Sequence, residues 1–91
     1  MVGCRSSGLI TGATEVVVSG QIKLISVHGA NDTNAAITAS IYDNTSASGK
    51  IVARLTVPAN SSMEFDMHGV LCKLGLTAVV PADLDITVEY I

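Results

Sequence analysis

The sequence predicts an all-β chain: one small antiparallel β-sandwich, jelly-roll-like, of roughly seven to nine short strands in a single domain over residues 1–91. Three observations lead there. Apolar residues recur with a period of two, the spacing that puts alternate side chains on one face of a strand. Clusters of Gly, Asn, Asp and Pro separate these runs at the intervals expected of short strands joined by turns. No stretch carries the helical period over a convincing length, and Ala-rich Ala30 to Ala39 has the Asn and Thr content of a loop running into a strand.

The elements follow in order. Glu15 to Ser19 contains Val16, Val17 and Val18, a β-branched run ended by Gly20. From Gln21 to His28, Ile22, Leu24 and Ser26 share one face and Lys23, Ile25 and Val27 the other, which predicts a strand covered on both sides. The Gly29–Asn34 stretch reads as a loop. Ala35 to Asp43 sets Ile37, Ala39 and Ile41 against Thr38, Ser40 and Tyr42, and a polar loop runs from Asp43 to Gly49. Lys50 to Val57 alternates again until Pro58, which lacks the ladder donor. After the turn, Met63, Phe65 and Met67 are expected inward, with Glu64, Asp66 and His68 outward. Two short apolar segments, Val70 to Leu76 and Leu76 to Val80, meet at Gly75, a bend or bulge. Pro81-Ala82-Asp83 turns the chain into a last alternating strand, Leu84 to Ile91.

Composition narrows the function classes. Hydrophobic residues make up 48% of only 91 positions, so a body this small leaves aliphatic surface outside, and association with partners is the default expectation. The five bases, Arg5, Lys23, Lys50, Arg54 and Lys73, are scattered along the sequence, net charge is −3 and aromatic residues are 3%; no nucleic-acid partner is expected. No run approaches the about 20 apolar residues of a membrane span, so no membrane partner is expected. The Gly/Ser-rich start from Met1 lacks the pattern of a secretory signal and reads as the beginning of a complete cytosolic product. Cys4 and Cys72 are then expected to be free thiols.

Catalytic constellations are weak. Glu64, Asp66 and His68, at alternate positions of one strand, form the sharpest metal-site candidate, a set suited to zinc or manganese. Strand alternation alone also produces this set as a solvated face, which is the favoured reading, and His28 could join it only if the two His-Gly strand ends lay side by side. Cys72 with His28 or His68 is a conceivable nucleophile pair, but Leu71 and Leu74 around it point to a buried structural thiol. No phosphate loop follows Gly8-Leu9-Ile10-Thr11-Gly12, and Asp83 with Asp85 makes at most half a calcium site. The sequons at Asn31, Asn44 and Asn60 read as turn residues. Neither an enzyme nor a cofactor is expected, and a chain this small offers little room for a pocket of about 300 Å³ beside its core.

Three stretches carry a likeness to a known class: Ser7-Gly8-Leu9-Ile10-Thr11-Gly12, then Ile25-Ser26-Val27-His28-Gly29-Ala30-Asn31-Asp32, then Ile41-Tyr42-Asp43-Asn44-Thr45-Ser46-Ala47-Ser48-Gly49. Together with the closing alternating strand, the chain resembles small structural proteins of tailed bacteriophages. That resemblance implies a β-sandwich that decorates or cements the capsid, or that forms part of a head fibre or tail knob. It implies the major capsid protein or other virion proteins as partners and a homo-oligomer, a trimer being one candidate. Its place would be the virion, after synthesis in the host bacterial cytoplasm. It carries no catalytic residues, and Cys4 and Cys72 lie outside its pattern. The competing expectation is a receptor- or glycan-binding module, for which Tyr42, Phe65 and Tyr90 are the available aromatic surfaces.

Overall fold

A computed structural model describes residues 4–91. The β-branched and alternating runs form eight strands: β1 (Arg5–Thr11), β2 (Thr14–Ser19), β3 (Ile22–Asn31), β4 (Ile37–Tyr42), β5 (Ile51–Val57), β6 (Ser61–Cys72), β7 (Gly75–Val79) and β8 (Leu84–Tyr90). They build two four-stranded sheets, β1-β8-β3-β6 and β2-β7-β4-β5, with every pairing antiparallel and no helix among the described residues.

The order follows from one long ribbon folded on itself. β1 pairs with β8, β2 with β7, β3 with β6 and β4 with β5, so partners stay nearly symmetric about the Ser46–Ser48 loop: Arg5 with Tyr90, Ser19 with Gly75, Ile22 with Cys72, Ile37 with Val57. The ribbon switches sheet between pairs, and the β3–β8 and β4–β7 ladders close each sheet. This is the double Greek-key order of an eight-stranded jelly roll, and it bears out the expected fold class.

Between the sheets lies one core. Ile10, Ile22, Leu24, Val27, Leu84, Ile86, Val88 and Tyr90 from the first sheet meet Ala39, Ile41, Leu55, Val57, Leu76 and Ala78 from the second. Its apolar side chains are nearly all aliphatic, so packing rests on interdigitated branched residues.

Bulges correct the simple alternation. In β3 the register shifts between Leu24 and Ser26, so Ile25 resets the phase: Val27, Gly29 and Asn31 turn inward and Ser26, His28 and Ala30 outward. The strand is therefore not apolar on both faces, as its residue pattern suggested. Opposite Ile25, β6 inserts Met67, His68 and Gly69, the last two with φ of 56° and 74°. A histidine in that left-handed region is strained. Because β6 is an edge strand, the irregularity also interrupts a row of unpaired backbone groups. Phe65 and Met67 pack against the core as expected, whereas Met63 is exposed. β1 was not foreseen as a strand; its polar residues follow the β8 ladder, and Ser7 Oγ accepts the Val88 N–H at 2.9 Å beside its own bulge. Gly75 opens β7 at φ 147°, where a Cβ would stand 2.5 Å from Val18 O.

Candidate interaction surfaces

The ladders place Glu64 opposite His28, Asp66 opposite Ser26 and His68 in the bulge. His68 Nδ1 lies 3.5 Å from Asp66 Oδ1, and the Asp66 carboxylate accepts the His68 backbone N–H at 2.9 Å. These contacts fold the bulge back on itself. Glu64 is not brought into them, because the insertion ends the alternation that put all three residues on one face. No group of three or more His, Cys, Asp or Glu side chains among the described residues could hold a metal ion. The two His-Gly dipeptides do not meet, since His28 faces Glu64 and His68 lies at the level of Ile25.

Cys72 is fully buried opposite Ile22, at the far end of β3 from His28. Burial first, and then the Asp43 charge, push its thiol above the ordinary value of 9.0. A nucleophilic cysteine needs the opposite shift. Cys4 is exposed, and both cysteines are free. Of the aromatic residues, Tyr90 belongs to the core, Phe65 packs against it, and Tyr42 sits on the other sheet, so the three form no shared platform.

On the outer face of the first sheet, Ser26 Oγ donates to Glu89 Oε1 at 2.6 Å and His28 Nε2 lies 3.0 Å from the same oxygen. The Ser26 bond, and then the His28 bond, hold the Glu89 carboxyl below its ordinary 4.5. The bulge at Ile25 makes this cluster, because it turns Ser26 outward onto the face of β8 that carries Glu89. Both neighbours converge on one carboxylate oxygen, and the imidazole does not stand between serine and acid, so the relay of a hydrolase is not present.

A second locking carboxylate is Asp43, at the start of the β4–β5 loop and only 8% exposed. Its oxygens accept the N–H groups of Leu74 at 2.9 Å and Lys73 at 3.1 Å, tying that loop to the β6–β7 turn. Burial raises its pKa, but the backbone donors at Leu74, Lys73 and Gly75, with the Lys50 charge, outweigh it and leave the group below 3.8. Asn44 and Asn60 lie in bends or turns as expected, whereas Asn31 is the last residue of β3, paired with Ser61 and Leu84. Asn31 is buried and donates to Ala35 O and Val57 O, Asn44 donates to Ser48 O, and Asn60 has φ 52°.

The fold gathers charges that the sequence scatters. The β2–β3 turn, the β4–β5 loop, the β6–β7 turn and Ile91 share one end of the sandwich, linked by Gly20 N–H to Leu74 O at 3.0 Å and by paired bonds between Lys23 and Ile91. Lys23, Lys50 and Lys73 stand there, and Arg5 lies opposite Tyr90 near the same end. Leu71, Leu74 and Ile91, exposed by 45%, 59% and 46%, lie among the three lysines in two adjoining depressions that share Leu71. This is the convergence that reading along the sequence missed.

At the other end, Asp32, Asp83 and Asp85 lie in or beside the β3–β4 and β7–β8 connections. Two continuous depressions, of about 390 and 330 Å³, share Ala30, Ser62 and Asp85 and form a trough along the outer face of the first sheet. Along β3 it is lined by His28, Gly29, Ala30 and Asn31, the middle two being small. Asp32, Glu64 and Asp85 line it, exposed Leu9 and Met63 flank it, and no lysine or arginine does. These volumes exceed the room expected of so short a chain, because they lie on the surface, open to solvent, and not within the core.

No protein-family model matches the chain, and no curated protein or solved structure shows significant similarity to it.

Proposed function

We propose that this chain is a non-enzymatic structural protein of a tailed-bacteriophage virion, which decorates or cements the capsid surface as an oligomer. The observation that carries the reading is the placement of Leu71, Leu74 and Ile91, exposed together at one end of a jelly roll whose core is otherwise closed. Apolar side chains grouped in this way on a small body mark a surface that a partner covers. The likeness of the Ser7–Gly12, Ile25–Asp32 and Ile41–Gly49 stretches to phage structural proteins supplies the kind of partner: the major capsid protein or a neighbouring virion protein. A rigid sandwich laid across coat-subunit junctions adds buried area where the shell is weakest under internal pressure. A head-fibre or tail-knob position uses the same body and the same contacts.

The test is co-sedimentation with mature phage heads, followed by heat and osmotic challenge of decorated and bare particles. Saturable binding at fixed stoichiometry, with greater resistance of decorated heads, supports cementing. Binding without added resistance moves the protein to a fibre or knob. A chain that ignores heads but retains glycans in an array is a receptor-binding module, and the virion reading is then withdrawn.

A further inference from the structure

We infer that the lysine-bearing end of one copy docks into the acidic trough of a second copy, so that the chain self-associates head to tail. The inference rests on the oligomeric part of the proposed function and deepens it by naming both halves of the contact. Three features of this one molecule match. Apolar surface meets apolar surface: the Leu71, Leu74 and Ile91 cluster on one side, Leu9 and Met63 on the other. Charge complements charge: Lys23, Lys50 and Lys73 surround the first set, while Asp32, Glu64 and Asp85 line the second. Shape complements shape as well, since Lys73-Leu74 is a two-residue turn between β6 and β7, and beyond His28 the trough runs over the small residues Gly29 and Ala30.

A two-fold axis through either patch would set that patch against itself, lysines on lysines or carboxylates on carboxylates, which like-charge repulsion opposes. Head-to-tail contact avoids this, and such a heterologous interface closes into a ring where the rotation permits and otherwise extends. Two backbone-anchored elements hold the knob for docking. Asp43 fixes the Lys73 and Leu74 amides, and Leu74 O accepts from Gly20, so the turn presents its side chains from a rigid support.

The experiment uses assembly-dead variants in pairs. Knob variants are Lys73→Glu and, separately, Leu74→Ser; trough variants are Glu64→Lys and, separately, Asp85→Asn. Each is checked for a wild-type circular dichroism spectrum and melting curve, and then measured by sedimentation velocity at low salt. The wild type is expected to sediment as a multimer that weakens at 1 M salt, about the concentration at which the screening length falls to 3 Å. Each variant alone is expected to lose the multimer. Mixing Leu74→Ser with Asp85→Asn, whose altered surfaces do not complement each other, leaves one intact knob facing one intact trough, so the mixture should form a 1:1 dimer and nothing larger. A wild type that is monomeric at low salt overturns the inference, as do folded variants that still form multimers or mixtures that form no dimer. Head binding is read separately. A monomer that decorates heads sinks this contact and spares the virion role, whereas a head-to-tail multimer that ignores heads does the reverse.

Discussion

Gly29 of β3 lies flat against Val57 of β5 across the sandwich: a Cβ placed on Gly29 would stand 2.7 Å from Val57 Cγ2 and 3.2 Å from Ile86 Cδ1. The missing side chain thus lets the two sheets close where β3 turns toward the aspartate-bearing end. Gly29→Ala forces a methyl into a filled space, and overpacking of this kind costs about 1–3 kcal/mol. The expected outcome is a lower melting temperature, by about 4–8 °C for each kcal/mol in a domain of this size. Gly29→Ala combined with Val57→Ala should melt above the sum of the two single losses, because the second change empties the space the first one needs. Additive losses in the double variant would show that the two residues do not compete for that space.

Asp43 should be the most costly surface-loop residue to truncate. Asp43→Ala removes the acceptor for two backbone N–H groups and leaves them without a protein partner, a loss of about 1–3 kcal/mol. Asp43→Asn, which keeps one acceptor oxygen, should lose less. The folded pKa lies below the ordinary 3.8, so the carboxylate's contribution is fully present above that value and is lost as pH falls through the folded pKa. Urea titrations between neutral pH and pH 2 should therefore show a steeper acid loss for wild type than for Asp43→Asn. Equal slopes would mean that the loop and the β6–β7 turn are not tied through this charge.

Glu89 titrates in the same direction for a different reason. Ser26 and then His28 stabilise its ionised form, so its pKa is depressed below 4.5, and the stability it gives is present above 4.5 and lost as pH falls through the lower folded value. Ser26→Ala removes the leading hydrogen bond and should move the Glu89 midpoint upward in a side-chain carboxyl NMR titration. His28→Gln should move it upward by less. A midpoint indifferent to Ser26→Ala would mean that the bulge at Ile25 does not hold the hydroxyl on Glu89.

Strand number and most core residues were legible because they depend on local alternation and turn chemistry: Ile37, Ala39 and Ile41 were placed on one face, and two of them are fully buried, whereas Gly29, Ala30 and Asn31 of the expected Gly29–Asn34 loop extend β3. What escaped was every feature that depends on a partner strand. Ser7-Gly8 has little strand propensity by itself and forms β1 because β8 offers a ladder. The bulges at Ile25 and at His68-Gly69 reset the period of two, so Ser26 joined His28 on one face and the Glu64, Asp66, His68 set came apart. The charge separation was hidden for the same reason. Lys23, Lys50 and Lys73 are far apart in the chain, and only the nested ribbon brings their loops to one end. The twofold spacing of a strand is visible in one segment, whereas register is a property of two.

The two thiols should separate by reactivity. Cys4 is exposed and needs no opening of the fold to meet a disulfide reagent, whereas Cys72 has no exposed surface and its thiol is pushed above 9.0. The thiolate is the attacking form, so Cys72 is disfavoured both by access and by protonation. With Cys4→Ser removing the fast site, labelling of Cys72 at pH 8 should be at least about a thousandfold slower in buffer than in denaturant, the protection given by openings of about 4 kcal/mol or more. Its rate should rise in Gly29→Ala and Asp43→Ala, since both lower the free energy of opening. Prompt labelling in the folded protein would contradict the packing of Cys72 against Ile22 and return it to consideration as a nucleophile. Protection that tracks stability across the variants instead fixes its role as filler between the ends of β3 and β6.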